Sequence, residues 1–245
     1  MLAPELLAAM ASGCWAVGAL FSANASNSMG AFAFTRWRLF FAMCMLWMAA
    51  FYVGRWPELT LENIAWLSVS SWVGILVGDT ALFVCMNRLG PRRSGVLFAT
   101  HALFSALFAW LFLGETLWGM TLMGSGVLVS GVMVAIVWGR RGEETHAWEN
   151  TQGTLWMGVA MGLLAAVGQA VATLMIKPLM STGIDAVAAS AVRATASFVA
   201  HLLLLWAGLG LAKLANPLDW KTLLNTALSA GISMVIGMTL ILQAL

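Results

Sequence analysis

LVGDTALFVCMNRLGPRRSGVLFATHALFSALFAWLFLGE, residues 76–115, is two apolar arms joined by a basic turn. The turn, Asn87, Arg88, Leu89, Gly90, Pro91, Arg92 and Arg93, holds a glycine and a proline side by side, the strongest local signal for a chain reversal. The first arm carries one carboxylate, Asp79, beside Gly78. The second carries His101 and ends at Gly114 and Glu115. A basic tip between greasy arms, one holding an acid, predicts a polytopic membrane protein with a polar site at depth.

The remaining composition agrees. The 245 residues are 61% hydrophobic and 9% charged, with a mean hydropathy of +0.90. A soluble domain carries about 25% charged residues, so this chain cannot cover a water-exposed surface. The chain has 13 tryptophans and one tyrosine. Trp56, Trp118, Trp138, Trp148 and Trp220 sit at run ends, where indole rings favour the bilayer interface. A net charge of +2, without a basic patch interleaved with aromatics, excludes nucleic acid as a partner class. Cys14, Cys44 and Cys85 all lie in apolar runs, which argues for packing rather than a disulfide framework or zinc site. Ala23, Asn24 and Ala25 resemble a signal-peptide cleavage site, but no basic segment precedes them and Glu5 stands in its place. The first apolar run therefore reads as a retained span.

Runs of about 20 apolar residues set the crossings. Helix 1 falls within 6–35, helix 2 covers about 31–53, helix 3 about 64–87, and helix 4 about 94–114. Helix 5 covers about 117–139, helix 6 about 154–176 with Lys177 and Pro178 ending it, helix 7 about 186–209, and helix 8 about 223–245. The polar stretch 140–152 is a linker. The fold class is all-α polytopic, with eight transmembrane helices. No stretch alternates as a barrel strand would. Gly158 and Gly162 on helix 6, and Gly124, Gly126 and Gly131 on helix 5, read as close-packing positions.

The linker divides the chain, and three short matches recur across it in order. Ala16-Val17-Gly18 pairs with Ala166-Val167-Gly168, Arg38 with Arg193, and Val77-Gly78-Asp79-Thr80 with Ile236-Gly237-Met238-Thr239. A five-helix first unit sends the second copy into the bilayer from the other side, the inverted-repeat design of many transporters. The expected organisation is a first repeat at 1–141, a linker at 142–152, and a partial second repeat at 153–245. Helix 8 corresponds to helix 3, so a final helix pair is expected to be missing from an inverted five-plus-five repeat.

Charges at depth supply the candidate site. Asp79 lies about two-thirds along helix 3, where an ionised carboxylate costs about 2.5–3.5 kcal/mol by insertion scales and needs a cavity or a partner. It is the candidate proton-coupling or amine-binding group; a structural ion pair is the alternative. Arg193, seven residues into helix 7, is a candidate for a substrate carboxylate or for pairing with Asp79. Arg38, its repeat partner, lies nearer an interface and carries less weight. His101 is a candidate proton relay, or a histidine satisfied by a backbone carbonyl. Trp15 and Gln169 are candidates to line a solute cavity. Thr80 reads as a packing residue, and His201 as a histidine satisfied by a backbone carbonyl. Glu115 reads as a clasp between helices 4 and 5. No nucleophile set, phosphate loop or metal motif is visible, so no cofactor, metal or ATP-driven step is expected.

With these residues in view, the chain resembles the drug/metabolite transporter superfamily, specifically EamA-type permeases. The resemblance rests on Trp15, Arg38, Gly78-Asp79, Leu89-Gly90-Pro91-Arg92-Arg93 and Leu113-Gly114-Glu115. It implies ten helices in two inverted repeats and export of small organic solutes or metabolites. The function expected is a secondary transporter in the inner cell membrane, driven by proton coupling or exchange, and not an enzyme. A non-transporting scaffold, or a lipid-directed intramembrane enzyme, is the alternative. The turns after helices 1, 3, 5 and 7 hold Arg36, Arg38, Arg88, Arg92, Arg93, Arg140, Arg141, Lys213 and Lys221, against Arg55 and Lys177 opposite. Positive-inside then puts the first set in the cytoplasm and the N-terminus outside.

Overall fold

In a computed structural model, residues 3–54, 56, 59–114, 119–137 and 154–245 are described. The basic turn at 87–93 closes as its sequence demands. Gly90 takes φ of 84°, a conformation that a side chain disfavours, and a new helix starts at Pro91 on the next residue. Gly30 does the same between the first two helices, with φ of 83°. One-residue turns leave no room for the arms to diverge, so consecutive helices run as antiparallel neighbours.

The helices are α1 Pro4–Met29, α2 Ala31–Val53, α3 Leu61–Leu89, α4 Pro91–Phe112, α5 Met120–Val137, α6 Leu155–Met180, α7 Ala186–Trp206 and α8 Trp220–Ala244. Among the described residues, seven of them are long and apolar enough to cross a bilayer. The eighth, α5, is 18 residues long and lies where the fifth crossing is expected. The protein is thus an all-α polytopic membrane protein. Polar caps close several starts. Thr60 accepts from the Asn63 N–H at 3.2 Å, Asp185 from Ala188 at 2.9 Å, and Asp219 from Thr222 at 3.1 Å. Hydrogen bonding from Thr222 holds the exposed Asp219 carboxyl below the usual carboxylate range.

Three helix features depart from the sequence expectation. α6 does not stop at Lys177–Pro178 but continues to Met180. In the last turn a proline removes only one ladder bond, which the helix tolerates there. α4 is broken at Thr100, whose hydroxyl turns back onto the Leu97 carbonyl at 2.6 Å and competes with the backbone ladder. α3 and α8 each contain an eight-residue π stretch, Trp72–Asp79 and Ala230–Gly237. Hydropathy periodicity does not register the wider i→i+5 turn. Glu115, Trp118, Trp138, Trp148 and the linker 140–152 lie outside the described residues.

Small residues let the π stretches sit deep. The α6 residue Gly168 faces the α3 π stretch, where an added Cβ would stand 3.1 Å from the Val73 carbonyl and 3.4 Å from the Gly78 Cα. The α1 residue Gly18 faces the α8 π stretch, where a Cβ would collide with the Ser233 side chain. Gly158 and Gly162 likewise meet Leu89 and Leu97. The core between the helices is formed by Leu39 and Leu46 of α2, Ile75 of α3, Ala191 and Ala194 of α7, and Met234 of α8. That packing leaves a chamber beside the π stretches.

Candidate functional site

The chamber has a volume of about 330 Å³ and is lined from α1, α2, α3, α4, α6, α7 and α8. Trp15, Asp79, His101, Gln169 and Arg193, the five candidates from the sequence, all line it. Arg38 lines it too, and it makes the contact with Asp79 that the sequence offers as one of two alternatives for Arg193. Arg38 Nη2 donates to Asp79 Oδ2 at 2.8 Å, the one salt bridge among the described residues. The two side chains are 7% and 14% exposed. The same Nη2 lies 2.8 Å from the Met234 sulfur, and the guanidinium carbon stands 4.8 Å from the centroid of the Phe83 ring.

Arg38 was underweighted because it lies early in α2. Yet it is seven residues past Ala31, as Arg193 is seven past Ala186 (38 − 31 = 193 − 186 = 7). At about 1.5 Å per residue both reach roughly 10 Å into their helices. That equal depth was the available signal. It also removes Arg38 from the loop charges that set orientation. Arg36 is buried as well, and its Nη1 donates to the Ala212 carbonyl at 2.7 Å.

Arg193 is 3% exposed and makes no hydrogen bond or ion pair among the described residues, and its Nε is an unpartnered buried donor. Gln169 Oε1 is an unpartnered buried acceptor. Both lie against the Gly74 backbone: a Cβ there would collide with the Ala172 Cβ at 2.6 Å and would also meet Gln169 Oε1 at 3.3 Å and Arg193 Nη2 at 3.4 Å. The absent side chain lets α6 approach and leaves these two groups their room.

Around this centre, the Trp15 indole N–H donates to the Ser233 carbonyl at 3.1 Å, inside the α8 π stretch. His101 Nδ1 is 3.0 Å from the Phe98 carbonyl, so that nitrogen carries the proton it donates. Thr80 is not simply a packing residue. His201 Nδ1 donates to the Ser197 carbonyl at 2.8 Å, which leaves Nε2 to accept from the Thr80 hydroxyl at 3.1 Å. Gly78 is buried in the π stretch, and Gly114 ends α4 in the left-handed conformation at φ of 67°. Among the described residues no three of His, Cys, Asp and Glu come together in a way that would hold a metal ion.

Membrane-length helices around a chamber walled by buried charges define a polytopic membrane protein with an internal polar site. Residues 2–137, more than half the chain, match the family model of the EamA-like transporter family, and the protein belongs to that family. It is a membrane permease of the drug/metabolite type, and its family is one of transporters of small solutes. A solved structure described only as "Crystal structure of protein" is similar over 98% of this chain and 78% of its own, with a TM-score of 0.62 and 18% identity. At that identity the likeness is one of fold. No curated protein matches the chain.

Proposed function

We propose that the protein is a secondary transporter that exports a small organic solute across the inner cell membrane by proton coupling or exchange. Asp79 is the coupling acid and Arg193 engages the solute, with Trp15, Gln169 and His101 around them. The observation that carries this reading is the Arg38–Asp79 pair in the wall of a chamber that also holds an unpaired Arg193. A carboxylate that gains a proton releases its arginine, so the ionised Asp79 carboxylate and the solute compete for the same guanidinium groups, and protonation of Asp79 favours solute engagement.

The architecture we infer is an inverted repeat, with a first unit at 1–141, a linker at 142–152 and a partial second unit at 153–245. Two features support it. The π stretches start at Trp72 and Ala230, within one residue of the register that pairs Gly78 with Gly237. The matched glycines Gly18 and Gly168 each pack on the π stretch of the opposite half. Such a design puts the solute between the halves. The described and exposed basic residues Arg92, Arg93, Lys213 and Lys221 favour a cytoplasmic location for their face.

Solute flux in proteoliposomes, measured against an imposed pH gradient, tests the coupling. Asp79→Asn should lose its pH-gradient dependence while retaining exchange of labelled for unlabelled solute. Unchanged pH dependence in that variant refutes the coupling role.

A further inference from the structure

We propose that the chamber takes a small organic anion, a carboxylate on an apolar body, with the carboxylate on Arg193 and a neighbouring O–H or N–H donated to Gln169. This rests on the transport reading above and names its substrate class.

The charges in the wall do not balance. Arg38 has Asp79 at 2.8 Å, whereas Arg193 is buried with no ion pair or hydrogen bond among the described residues. A guanidinium presents five donors in a rigid fork that matches a carboxylate bidentately. Asp79 attracts it through space, but a buried guanidinium without a hydrogen bond is still an expensive group. Internal correspondence locates the missing anion. Arg38 matches Arg193, but where the first half supplies Asp79 the second supplies Met238, which is neutral and lines the chamber. A solute carboxylate would do for Arg193 what Asp79 does for Arg38.

Two independent features narrow the class. Gln169 Oε1 is a buried acceptor without a donor, and it shares the space over Gly74 with Arg193 Nη2. A hydroxyl or amide N–H close to the carboxylate satisfies it. The wall also carries large apolar side chains, Leu82, Phe83, Met86, Phe98 and Ile241, beside the hydroxyl residues Ser12 and Thr173. A volume of about 330 Å³ lies at the small end of the roughly 300–1,000 Å³ range of small-molecule sites.

Calorimetric titration of the purified chain in nanodiscs, with four probes of one size, tests this. The probes are 2-hydroxy-3-phenylpropanoate, 3-phenylpropanoate, 3-phenylpropanamide and 3-phenylpropylamine. The two anions should bind, the hydroxy acid several-fold tighter, and the amide and the amine at least about tenfold weaker. Arg193→Gln should weaken both anions at least about tenfold, the size of a lost charge-assisted hydrogen bond, without lowering the melting temperature. Gln169→Leu should remove only the advantage of the hydroxy acid. Amine binding as tight as that of the anions overturns the proposal, as does anion binding indifferent to Arg193→Gln, or no binding by any probe. Inorganic phosphate competing as well as the hydroxy acid overturns the organic character of the ligand. Nanodiscs of zwitterionic and of anionic lipid separate a free solute from a lipid headgroup: loss of probe binding in the anionic discs overturns the free-solute assignment. A chamber that binds amines and still mediates flux leaves the transport reading standing. Anion binding with no flux refutes transport and leaves the site.

Discussion

Removing Asp79 and removing Arg193 should change stability in opposite directions. Asp79→Leu deletes the one carboxylate among the described residues that is paired to Arg38, whose side chain is 7% exposed, and leaves two guanidinium groups facing one chamber. Breaking a buried pair from one side costs about 3–5 kcal/mol. At roughly 2–4 °C per kcal/mol for a chain of this size, the melting temperature should fall by about 6–20 °C. Arg38→Met should cost less, because Asp79 keeps Arg193 as a neighbour in the same chamber wall. The double variant, with both charges replaced by apolar groups of similar volume, should recover most of the loss. Arg193→Met should leave the melting temperature unchanged or raise it, because it removes a buried guanidinium that Asp79 attracts only through space, with no hydrogen bond or ion pair of its own among the described residues. The assay is thermal unfolding in one detergent, followed by loss of the monodisperse chromatographic peak, with the parent, the Asp79 and Arg38 single variants and their double variant closing a double-mutant cycle. Additivity of the Asp79 and Arg38 changes to within about 0.5 kcal/mol would mean the pair is not energetically coupled. A fall for Arg193→Met as large as that for Asp79→Leu would show that Arg193 already has a counter-ion, and both the charge count and the anion proposal would go with it.

Other outcomes follow from single contacts. Gly168→Leu forces a side chain against the Val73 carbonyl and should cost about 1–3 kcal/mol, read as a lower melting temperature, whereas Gly126→Leu, with nothing within 4 Å of its Cβ position, should not. Thr80→Val leaves the buried His201 Nε2 without a donor and should destabilise by about 1–3 kcal/mol; a melting temperature equal to the parent's would show that bond to be dispensable. Asp219 has its carboxyl held below the ordinary range in the folded chain, so its capping contribution is present above that range and is lost as pH falls through it. The melting-temperature gap between the parent and Asp219→Ala should therefore shrink on going from neutral to acidic buffer, and a constant gap would contradict the cap. Arg92→Cys, with Cys14, Cys44 and Cys85 replaced, should label only from the cytoplasmic side; labelling from outside reverses the orientation.

Much of the site was legible because depth is a one-dimensional property. An ionisable residue many positions from the nearest loop must lie in the apolar layer, and Asp79, His101 and Arg193 were found on that ground alone. Trp15 and Gln169 came from positional matching between the two halves. Arg38 was discounted because two arginines at a helix start resemble an interfacial anchor, although its depth equals that of Arg193. The role of Thr80 could not be read, since its partner His201 lies 121 residues away on another helix.

Composition and run length alone determined the membrane class, the approximate limits of the seven long apolar helices, and the turn at Gly90–Pro91. Each follows from local chemistry: an apolar run satisfies its own backbone hydrogen bonds only as a helix in lipid, and a glycine before proline reverses the chain. Only the tertiary structure decided which charges meet. The Arg38–Asp79 pair and the 218-residue reach from Trp15 to Ser233 depend on where the π stretches rotate their helices and how closely the glycines let neighbours approach. A π turn changes the face on which a side chain emerges without changing hydrophobicity. The opening stretch therefore announced that Asp79 lies at depth, and the packing of α2 against α3 determined that its partner is Arg38.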